Sequence, residues 1–596
     1  MPSQIHTREK EDESGRLKTW KMYELEEYRW INYSEAKELG DNIAACLQQN
    51  GLKAVKASLL NTVRHLTSSI ACFMLGAVVT TAYDSMPPDA VAHIIKETNP
   101  KAVLTEVTLM STLSEAFNLL PESCKVHTVF YTGERFEAPD ALDKLQNNRK
   151  LQDATIVRLD TAHEQSGLAK MRQTPDNLAL IMYTSGTSGT PKGVELTHGN
   201  IIASMGAAEH LVSELLSGAD HTYIGFLPLA HVLEFLLEFI FITMGIPVGY
   251  GTVRTLMPDS VSGPGGQGKG KGDLEALQPT IMAGVPSVWE RIRNGITGQL
   301  EKKPWVIRKM FYATVELKWL LLQLFGRENV ITRIIDKTVF YPIRSKTGGH
   351  LMYGLAGGAP ISFDTHKFIF STVCFLLQGY GLTECCGLGA VTLPMFGPLT
   401  GVIGPPSPSI EFRLVDVPET DYVAEQDKGE LWLRGPSVMR GYYAQPELTK
   451  EALTEDGWFR TGDVAHVRKD GMIAIIDRAK NLVKLSHGEY IALEALESIY
   501  RNSKDIQNIC VVANSNMSHI VAVVEAVDQH ADKASLIQEL QNTAKKANCS
   551  RAETVKDIVI TQDVDWSEKF LTTSGKLKRK ELYKAYENDI KQIYSQ

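Results

Sequence analysis

The sequence predicts an α/β protein with a large N-terminal domain of layered α/β subdomains and a small C-terminal α+β domain. A chain of 596 residues exceeds what one hydrophobic core normally serves, since domains usually hold about 100–200 residues. Residues 56–130 alternate helical and strand-like patterns, which is typical of α/β layers around a largely parallel sheet. Beyond Asp477 the pattern resets to short helices and strands, in a stretch long enough to fold as a separate domain.

The individual elements follow from apolar periodicity and from stop signals. An amphipathic helix opens at residue 33 and ends near residue 50, where Gly51 follows as a stop signal. Further helices are predicted over residues 90–97, 201–216, 232–244, 492–501 and 534–548. Strands are predicted over residues 78–82, 102–104, 178–182, 509–513, 520–524 and 557–560, with a hairpin over 464–476.

Composition and charge exclude several classes of protein. With 43% apolar and 22% charged residues, the chain has the composition of a globular protein and not of a disordered one. Its net charge of −8 provides no global basic field, so we predict no nucleic-acid partner. The eight cysteines are scattered without a Cys-x-x-Cys pair, which indicates a reducing compartment and argues against a structural zinc site.

The sequence gives few signs of a membrane or export segment. Residues 1–18 are charged and lack the apolar core of a secretory signal, so we expect a disordered N-terminus. The apolar stretches 67–83 and 232–250 are too short or carry Glu234 and Glu238, so no transmembrane helix is predicted. The basic, apolar region 300–345 favours helices packed on the core, with a membrane-facing amphipathic surface as the alternative.

Residues 184–193 form a loop rich in glycine and hydroxyl side chains between a predicted strand and a predicted helix. Glycine lets the backbone approach a ligand closely, and a concave row of backbone N–H groups and hydroxyls suits a polyphosphate. Lys192 adds a positive charge at the same place. A flexible linker is the less favoured interpretation, because linkers are rarely held between an apolar strand and a helix start. The common P-loop pattern does not fit.

This run, TSGTSGTPKG, resembles the phosphate-binding loop of the adenylate-forming enzymes, the superfamily of acyl-CoA synthetases, luciferases and peptide-synthetase adenylation domains. Other motifs of that superfamily follow in the same order along the chain. They are GGAP at 357–360, QGYGLTE at 378–384, TGD at 461–463, DRAK at 477–480 and FLTTSGK at 570–576. The resemblance covers about residues 30–586.

The resemblance implies a role for each of these motifs. Tyr380 would stack on adenine, Asp463 would accept from the ribose hydroxyls, and Glu384 would hold magnesium, a cation that prefers oxygen ligands. The residues implied in catalysis are Lys576, Thr184, Glu384 and His231, with Thr184 and Glu384 also as metal ligands. The residues implied in binding the cofactors are Tyr183, Ser185, Gly186, Thr187, Ser188, Gly189, Thr190, Lys192, Gly358, Ala359, Gln378, Tyr380, Gly381, Thr383, Asp463, Arg478, Lys480, Lys484, Gly488 and Glu489.

The implied domains are a disordered 1–18, a large domain at 19–476, a hinge at 477–480 and a mobile C-terminal domain at 481–596. In the family, a carboxylate attacks the α-phosphate of ATP, pyrophosphate leaves, and the small domain swings about the hinge before the thiol of CoA attacks. Lys576 would reach the α-phosphate and the carboxylate, and Lys480 lies where the family pivots. ATP, Mg²⁺ and CoA are the implied cofactors and co-substrates.

Two segments resemble the long-chain fatty acyl-CoA synthetase branch, residues 456–491 and the run LPLAHVLEF at 227–235. His231 would lie near the acyl carboxylate, while Phe235 either gates an acyl tunnel or belongs to the core. We therefore predict a magnesium-dependent long-chain fatty acid–CoA ligase. The alternatives are a ligase for an aromatic or medium-chain acid, and a degenerate relative that binds without turnover. The expected location is cytoplasmic and not secreted, with the protein peripheral on an intracellular membrane such as the endoplasmic reticulum or a lipid droplet.

Overall fold

The computed structural model describes residues 2–11, 17–51, 63–133, 138, 140–159, 171–184, 191–263, 267–326, 328–487, 489–528, 531–561, 564–571 and 577–595. Three groups of predicted site residues lie outside these ranges. They are the loop residues Ser185, Gly186, Thr187, Ser188, Gly189 and Thr190, then Gly488, and then Lys576.

The elements are numbered along the chain. The first third contains β1 (Pro2–Glu11), β2 (Leu17–Leu25), α1 (Tyr33–Gln49), α2 (Val63–Met74), β3 (Val79–Thr81), α3 (Pro88–Thr98), β4 (Ala102–Glu106), α4 (Met110–Asn118), β5 (Thr128–Thr132), α5 (Ala141–Gln146), β6 (Thr155–Arg158), β7 (Leu178–Thr184), β8 (Lys192–Thr197) and α6 (His198–Val212). The middle contains β9 (Tyr223–Gly225), α7 (Val232–Thr243), β10 (Val248–Tyr250), β11 (Val261–Ser262), α8 (Asp273–Leu277), β12 (Ile281–Gly284), α9 (Pro286–Glu301), α10 (Trp305–Phe325), α11 (Val330–Ile335), α12 (Tyr341–Arg344), β13 (Tyr353–Ala356), α13 (Phe363–Thr372), β14 (Phe375–Tyr380) and β15 (Ala390–Val391).

The remaining elements complete the large domain and form the small one. The former are β16 (Glu411–Val415), β17 (Lys428–Arg434), β18 (Gly441–Tyr442), α14 (Pro446–Ala452), β19 (Phe459–Val467) and β20 (Ile473–Arg478). The latter are β21 (Leu482–Lys484), β22 (Tyr490–Ala492), α15 (Leu493–Tyr500), β23 (Ile506–Val512), β24 (Ile520–Ala526), α16 (Lys533–Lys546), β25 (Val555–Ile560), α17 (Trp566–Lys569), α18 (Arg579–Ala585) and α19 (Glu587–Ser595).

The largest sheet has the strand order β10-β9-β12-β13-β14-β15 and is parallel except for its last pair. Parallel strands need cover from helices, and α9, α10 and α13 bury side chains in the same core as β9, β12 and β14. The carboxyl ends of β13 and β14 open on one edge, because Ala356 pairs with Gln378 in parallel register. Ligands of open α/β sheets bind at such an edge.

Two further sheets bring the remaining parts of the site together. The order β18-β8-β7-β3 combines one parallel pair, β3 with β7, and two antiparallel pairs. The antiparallel sheet β16-β17-β19-β20 places Asp463 directly opposite Arg478. Both sheets contribute side chains to one hydrophobic core, which also takes in α1 and α2. The three strands β4-β5-β6 form a smaller parallel sheet with a core of its own.

The small domain is built on the sheet β23-β24-β25. Side chains along β24 alternate between two cores, since Ile520, Ala522 and Val524 face α15 and α16. Val521 and Val523 pack instead with Trp566 and the helices that follow it. A strand covered by helices on both faces explains why 520–524 reads as a continuous apolar run.

The predicted fold class is confirmed: a large N-terminal α/β domain is followed by a small α+β domain. The expectation of disorder for residues 1–18 is wrong within the described residues. There β1 pairs with β2 in an antiparallel hairpin, and β2 pairs in parallel with the distant β11. Local sequence could not reveal this pairing, because the partner Val261–Ser262 lies more than two hundred residues away.

Candidate active site

The β7–β8 hairpin is the first part of the site. The strands pair antiparallel, with Thr184 opposite Lys192 and Tyr183 opposite Gly193. Residues 185–190 lie outside the described residues. This register nevertheless places Thr184 and Lys192, on either side of that loop, next to each other. A Cβ atom at Gly193 would lie 2.8 Å from Ile181 Cγ2 and 3.1 Å from Tyr183 Cζ, so close strand packing requires glycine here.

Tyr183 itself points away from the loop. Its side chain is buried, and its hydroxyl donates to Glu97 in α3, which also accepts from Gln445 Nε2 at 3.3 Å. Burial, and then the hydrogen bond to Glu97, raises the pKa of Tyr183 well above its ordinary value. The ring therefore packs beneath the hairpin, between it and α3. Only the backbone of Tyr183 remains available to contact a nucleotide.

Tyr380, Asp463 and Arg478 meet at the carboxyl end of β14. The Tyr380 hydroxyl donates to Asp463 Oδ2 at 2.6 Å, and Arg478 Nε lies 3.4 Å from Asp463 Oδ1. Burial, and then the Asp463 charge, raises the pKa of Tyr380 far above its ordinary value. Burial opposes the charge on Arg478, but the surrounding acidic groups, Asp463 foremost, outweigh it and raise the pKa of the guanidinium. Three residues predicted from separate motifs thus form one cluster.

Glycine-rich turns flank this cluster. Gly358, before Ala359, has φ +85°, in the left-handed region that favours glycine. Gly381 packs against the next turn so closely that a Cβ atom would lie 2.1 Å from the carbonyl oxygen of Gly387. Gln378 is buried, and its backbone N–H donates to the Thr392 side-chain oxygen Oγ1 at 2.8 Å. The turn that follows begins at Thr383.

Glu384 is held by a tyrosine that the sequence did not single out. The Tyr442 hydroxyl donates to Glu384 Oε1 at 2.9 Å, and the Lys192 ammonium lies 5.5 Å from the centre of the Tyr442 ring. Tyr442 reaches this place because β18 pairs with β8, the strand that begins at Lys192. Burial, and then Glu384, raises the pKa of Tyr442. Tyr83 faces the same carboxylate, and burial followed by the Glu384 charge raises its pKa to about 12.

Positive charge gathers on the same side. Lys480 is exposed, yet partial desolvation lowers its pKa, and the nearby charges of Arg478 and Lys192 lower it further against the opposing effect of Glu494 and Asp463. Lys480, Arg478 and Lys192 thus lie close enough to affect one another's charge, among the carboxylates of Asp463 and Glu494.

The residues that could hold magnesium fit that cation. Glu384 and Thr184 offer carboxylate and hydroxyl oxygens, the hard donors that Mg²⁺ takes together with phosphate oxygens. The Tyr442 hydrogen bond fixes one Glu384 oxygen in orientation, as outer-shell partners of metal ligands do. Within the described part of the chain, no three His, Cys, Asp or Glu side chains are placed to hold a metal ion by themselves.

His231 begins the helix α7. Its Nδ1 accepts from the backbone N–H of Leu233 at 3.2 Å, so a neutral ring carries its proton on Nε2. The Tyr83 ring lies 6.5 Å away, which places His231 on the side of the site occupied by Glu384. Phe235 is buried in the core, with its ring centre 4.5 Å from that of Phe239 and the two rings tilted by 37°. This packing favours the interpretation of Phe235 as a core residue.

The same helix carries two buried carboxyl groups, Glu234 and Glu238, which in the sequence only interrupt an apolar stretch. Tyr223 donates to Glu234 Oε2 at 2.8 Å, and Tyr250 donates to Glu238 Oε2 at 2.7 Å. Gly225 leaves room for both, since its Cβ would lie 3.1 Å from an oxygen of each. Burial, and then the neighbouring Glu238, raises the pKa of Glu234, and burial raises that of Glu238 from 4.5 to about 8.

This carboxyl pair is expected to make stability depend on pH. The folded protein keeps a proton on Glu238 that the unfolded chain loses, so the free energy of unfolding falls as pH rises from about 4.5 to about 8. In Glu238→Gln this decline is expected to be smaller, in urea titrations at intervals across that range. The exposed Glu447→Gln serves as the control, and a decline equal to wild type in Glu238→Gln would contradict the assignment.

The C-terminal predicted residues lie apart from these clusters in the sequence. Lys484, over the Tyr490 ring at 5.1 Å, and Glu489, 3.8 Å from His487, belong to the β21–β22 hairpin. Lys576 lies outside the described residues. The residues on either side of its segment are joined by an antiparallel bridge between Leu571 and Leu577.

Three further contacts hold the residues next to that segment. Lys578 N donates to Phe570 O at 2.8 Å. Arg579 Nη2 then lies 2.8 Å from Glu497 Oε1, and Nη1 donates to Val511 O at 2.7 Å. Because Glu497 is buried, this ion pair ties the chain just after residue 576 to the middle of the small domain.

Comparison with known proteins gives matches across nearly the whole chain. Residues 12–443 match the AMP-binding enzyme family, and residues 480–596 match the AMP-binding enzyme C-terminal domain. Long-chain-fatty-acid–CoA ligase 1 of Saccharomyces cerevisiae is 32% identical, over 97% of this chain and 87% of its own length. A palmitoyl-CoA ligase of Gibberella moniliformis is 31% identical, over 96% and 87%.

Solved structures match the fold. The adenylation domain of a carboxylate reductase from Mycobacterium chelonae has a TM-score of 0.78 at 24% identity, covering 100% of this chain and 89% of that one. O-succinylbenzoate coenzyme A synthetase of Bacillus subtilis, in complex with ATP and magnesium, has a TM-score of 0.64 at 17% identity, covering 93% and 94%.

Proposed function

This chain belongs to the AMP-binding enzymes of the adenylate-forming superfamily, and on that premise we propose that it ligates a long-chain fatty acid to coenzyme A. ATP and CoA are its co-substrates, and AMP and pyrophosphate are the other products. The observation that carries the proposal is the convergence of Tyr380, Asp463, Arg478 and Glu384 beside Lys192. The long-chain relatives, matched over almost the full chain, support the choice of acid.

In the first half-reaction a carboxylate oxygen of the acid attacks the α-phosphorus of ATP, and the bond to pyrophosphate breaks. Negative charge grows on phosphate oxygens, so fixed positive charge near them lowers the barrier. Lys192 and the loop 185–190 would hold the leaving pyrophosphate, and Lys576 would reach the α-phosphate and the carboxylate. Magnesium, when bound through Glu384 and Thr184, supplies further neutralisation of the phosphate charge.

The nucleoside would lie between the glycine turns and the β19–β20 pair. The Tyr380 ring, with Gly358, Ala359, Gln378, Gly381 and Thr383 around it, would bind adenine. Asp463 would accept from the ribose hydroxyls, with Arg478 Nε 3.4 Å from its carboxylate. The hydrogen bond from the Tyr380 hydroxyl holds the Asp463 carboxylate in place before ATP binds. His231 would face the acyl carboxylate.

In the second half-reaction the thiol of CoA attacks the acyl carbonyl, and AMP leaves. We propose that residues 481–596 turn about residues 477–480 between the two steps, bringing the hairpin with Lys484, Gly488 and Glu489 toward the site. Asp477 joins the two parts at present: its Oδ1 accepts from Arg478 N at 2.7 Å and its Oδ2 from Glu494 N at 2.8 Å. A rotation about this short segment would change the contact between Asp477 and Glu494.

Lys480→Pro tests the pivot. Proline fixes φ and removes the backbone N–H, so rotation here should be impaired. Thioester formation is expected to fall by about tenfold or more, while acid-dependent ATP–pyrophosphate exchange stays within about twofold of wild type. Lys480→Ala, which loses the charge and keeps the backbone free, is the matched control. Equal loss of both half-reactions in Lys480→Pro would contradict the pivot.

The activity is tested by AMP release in the presence of CoA, ATP and Mg²⁺ across acetate, octanoate, palmitate, arachidonate and benzoate. We expect palmitate or arachidonate to give the highest kcat/KM. A maximum at benzoate or octanoate would identify the alternative, a ligase for an aromatic or medium-chain acid. Absence of AMP release with every acid would indicate a relative that binds without turnover.

Peripheral contact with an intracellular membrane belongs to the same proposal. The substrate is an amphiphile that partitions into lipid, so an enzyme that uses it gains from residence at a bilayer. No helix among the described residues has both the length and the apolar character needed to span a bilayer.

A further inference from the structure

Helix α10 carries an exposed apolar stripe on its outer side. Val306, Met310, Leu317, Leu320 and Leu324 are exposed by 47%, 66%, 47%, 51% and 68%. At 100° per residue these five positions fall within an arc of about 80°. We call them the outer stripe.

The core does not account for the outer stripe, because α10 has a second apolar face. Phe311, Val315, Trp319 and Leu322 are buried in the core of the large sheet, on the opposite side of the helix. A helix that served only the core would carry polar side chains on its outer face. The outer stripe therefore requires a separate explanation.

Helix α11 extends the apolar area. Val330, Ile331 and Ile334 are more than half exposed, and α11 packs against α10. Lys318 Nζ of α10 forms a buried ion pair with Asp336 Oδ1, the residue that follows α11, at 2.6 Å. The surface is thus a fixed part of the large domain. Apolar patches of this extent are unusual on a protein that has no partner for them.

The segment is also strongly basic. Residues 302–346 contain ten Lys and Arg against three Asp and Glu, a net charge of +7 in a chain whose total is −8. Lys302, Lys303 and Lys309 are exposed at the start of α10, and Lys337 and Lys346 are exposed beyond α11. Basic side chains around an apolar helix face match the headgroups and acyl region of an anionic bilayer.

We propose that α10 and α11 dock this protein on an anionic phospholipid bilayer, with the outer stripe in the acyl boundary and the lysines at the headgroups. The inference assigns a surface to the membrane contact proposed above and rests on it. A second copy of the chain fits less well, because a symmetric contact would bring two segments of charge +7 together.

The position of the surface suits the delivery of an amphiphilic substrate. The core beneath α10 also contains Phe226 and Leu227, which lead to His231, and Phe241 of α7. The docking surface and residues 226–227, which precede His231, are therefore built on one hydrophobic core.

The test is cosedimentation of the full chain with vesicles of phosphatidylcholine and phosphatidylserine at a ratio of about 2:1. Wild type is expected to bind these vesicles and to bind pure phosphatidylcholine more weakly. The variant L317Q/L320Q/L324Q is expected to lose about tenfold or more in partition coefficient. The control L119Q/M171Q/V527Q changes three apolar residues of similar exposure elsewhere and should bind as wild type does.

A second pair of variants tests the charge. K302Q/K303Q is expected to weaken binding by about 25-fold, at about fivefold for each lysine near an anionic surface. K545Q/K546Q removes an exposed lysine pair of α16 and should have no effect. Unchanged melting temperatures confirm that each variant folds.

The outcomes separate the surface from the membrane contact and from the enzymatic function. If wild type binds neither kind of vesicle, both the membrane contact and the assignment of this surface are overturned. Wild type that binds, with L317Q/L320Q/L324Q binding equally well, would overturn the surface alone. Self-association of wild type that the same variant abolishes, without vesicle binding, would assign the surface to a second copy. AMP release with palmitate in the absence of vesicles tests the ligase independently of all three.

Discussion

Replacing Lys576 by Ala is expected to lower the rate of acid-dependent ATP–pyrophosphate exchange by about two to three orders of magnitude. One preorganised donor aimed at developing charge contributes on this scale when it is removed. Lys576 is the chain's candidate for that donor, because its motif matches the family and the chain on either side is firmly held. Leu571 and Leu577 form a bridge, and Arg579 is anchored to the buried Glu497.

The control for this prediction is Lys580→Ala. Lys580 is exposed in α18, so its loss should leave exchange within about twofold of wild type, as is usual for surface positions. Equal melting temperatures for both variants would exclude a folding defect. Exchange at the wild-type rate in Lys576→Ala would remove this lysine from the mechanism, while leaving open the nucleotide cluster around Asp463.

The sequence predicted most of the fold because its signals are local. Neighbouring residues alone are enough to predict the apolar strand β7, the helix α1 and the alternation of strands and helices. The α1 start is an example, since Asn32 Oδ1 accepts from Glu35 N at 3.0 Å and Glu35 Oε2 accepts from Asn32 N at 2.7 Å. Residues 2–11 were misjudged for the opposite reason: their hairpin lies against the distant β11.

The candidate site divides in the same way. Tyr380, Asp463 and Arg478 were identified by motifs, but their mutual contacts required the structure. Tyr442 was missed because nothing in its neighbourhood indicates that β18 pairs with β8 and so aims the ring at Glu384. Its context of short strand-like segments and turns carried no chemical signal.

The buried carboxyl pair of α7 was missed for a related reason. In the sequence, Glu234 and Glu238 interrupt an apolar helix, and that pattern alone argues only against a membrane span. Their partners are the hydroxyls of Tyr223 and Tyr250, which lie on neighbouring strands β9 and β10. Only the sheet pairing brings donors to both carboxyl groups, so these contacts could not be anticipated from the sequence.

Glu384→Gln is expected to lower kcat/KM for AMP formation by about 100-fold and to raise the Mg²⁺ concentration needed for half-maximal rate. The amide keeps the size of the side chain and an oxygen for the Tyr442 hydroxyl, so the change removes the negative charge and little else. A neutral ligand binds a hard dication less well, and the loss reflects charge stabilisation of the phosphates. The measurement is AMP release at saturating palmitate across a Mg²⁺ titration.

Two companion variants decide whether Glu384 acts through the metal. Glu411→Gln, at an exposed carboxylate paired with Arg434 at 2.5 Å, should leave both the rate and the Mg²⁺ requirement unchanged. Tyr442→Phe removes one hydrogen bond to a charged group and should cost about tenfold in rate, because such bonds are stronger than neutral ones. It should shift the Mg²⁺ requirement in the same direction as Glu384→Gln, since an unanchored carboxylate presents its oxygens less well. A slower Tyr442→Phe with wild-type Mg²⁺ dependence would assign the tyrosine to Lys192, whose ammonium lies 5.5 Å from its ring, and not to the metal site.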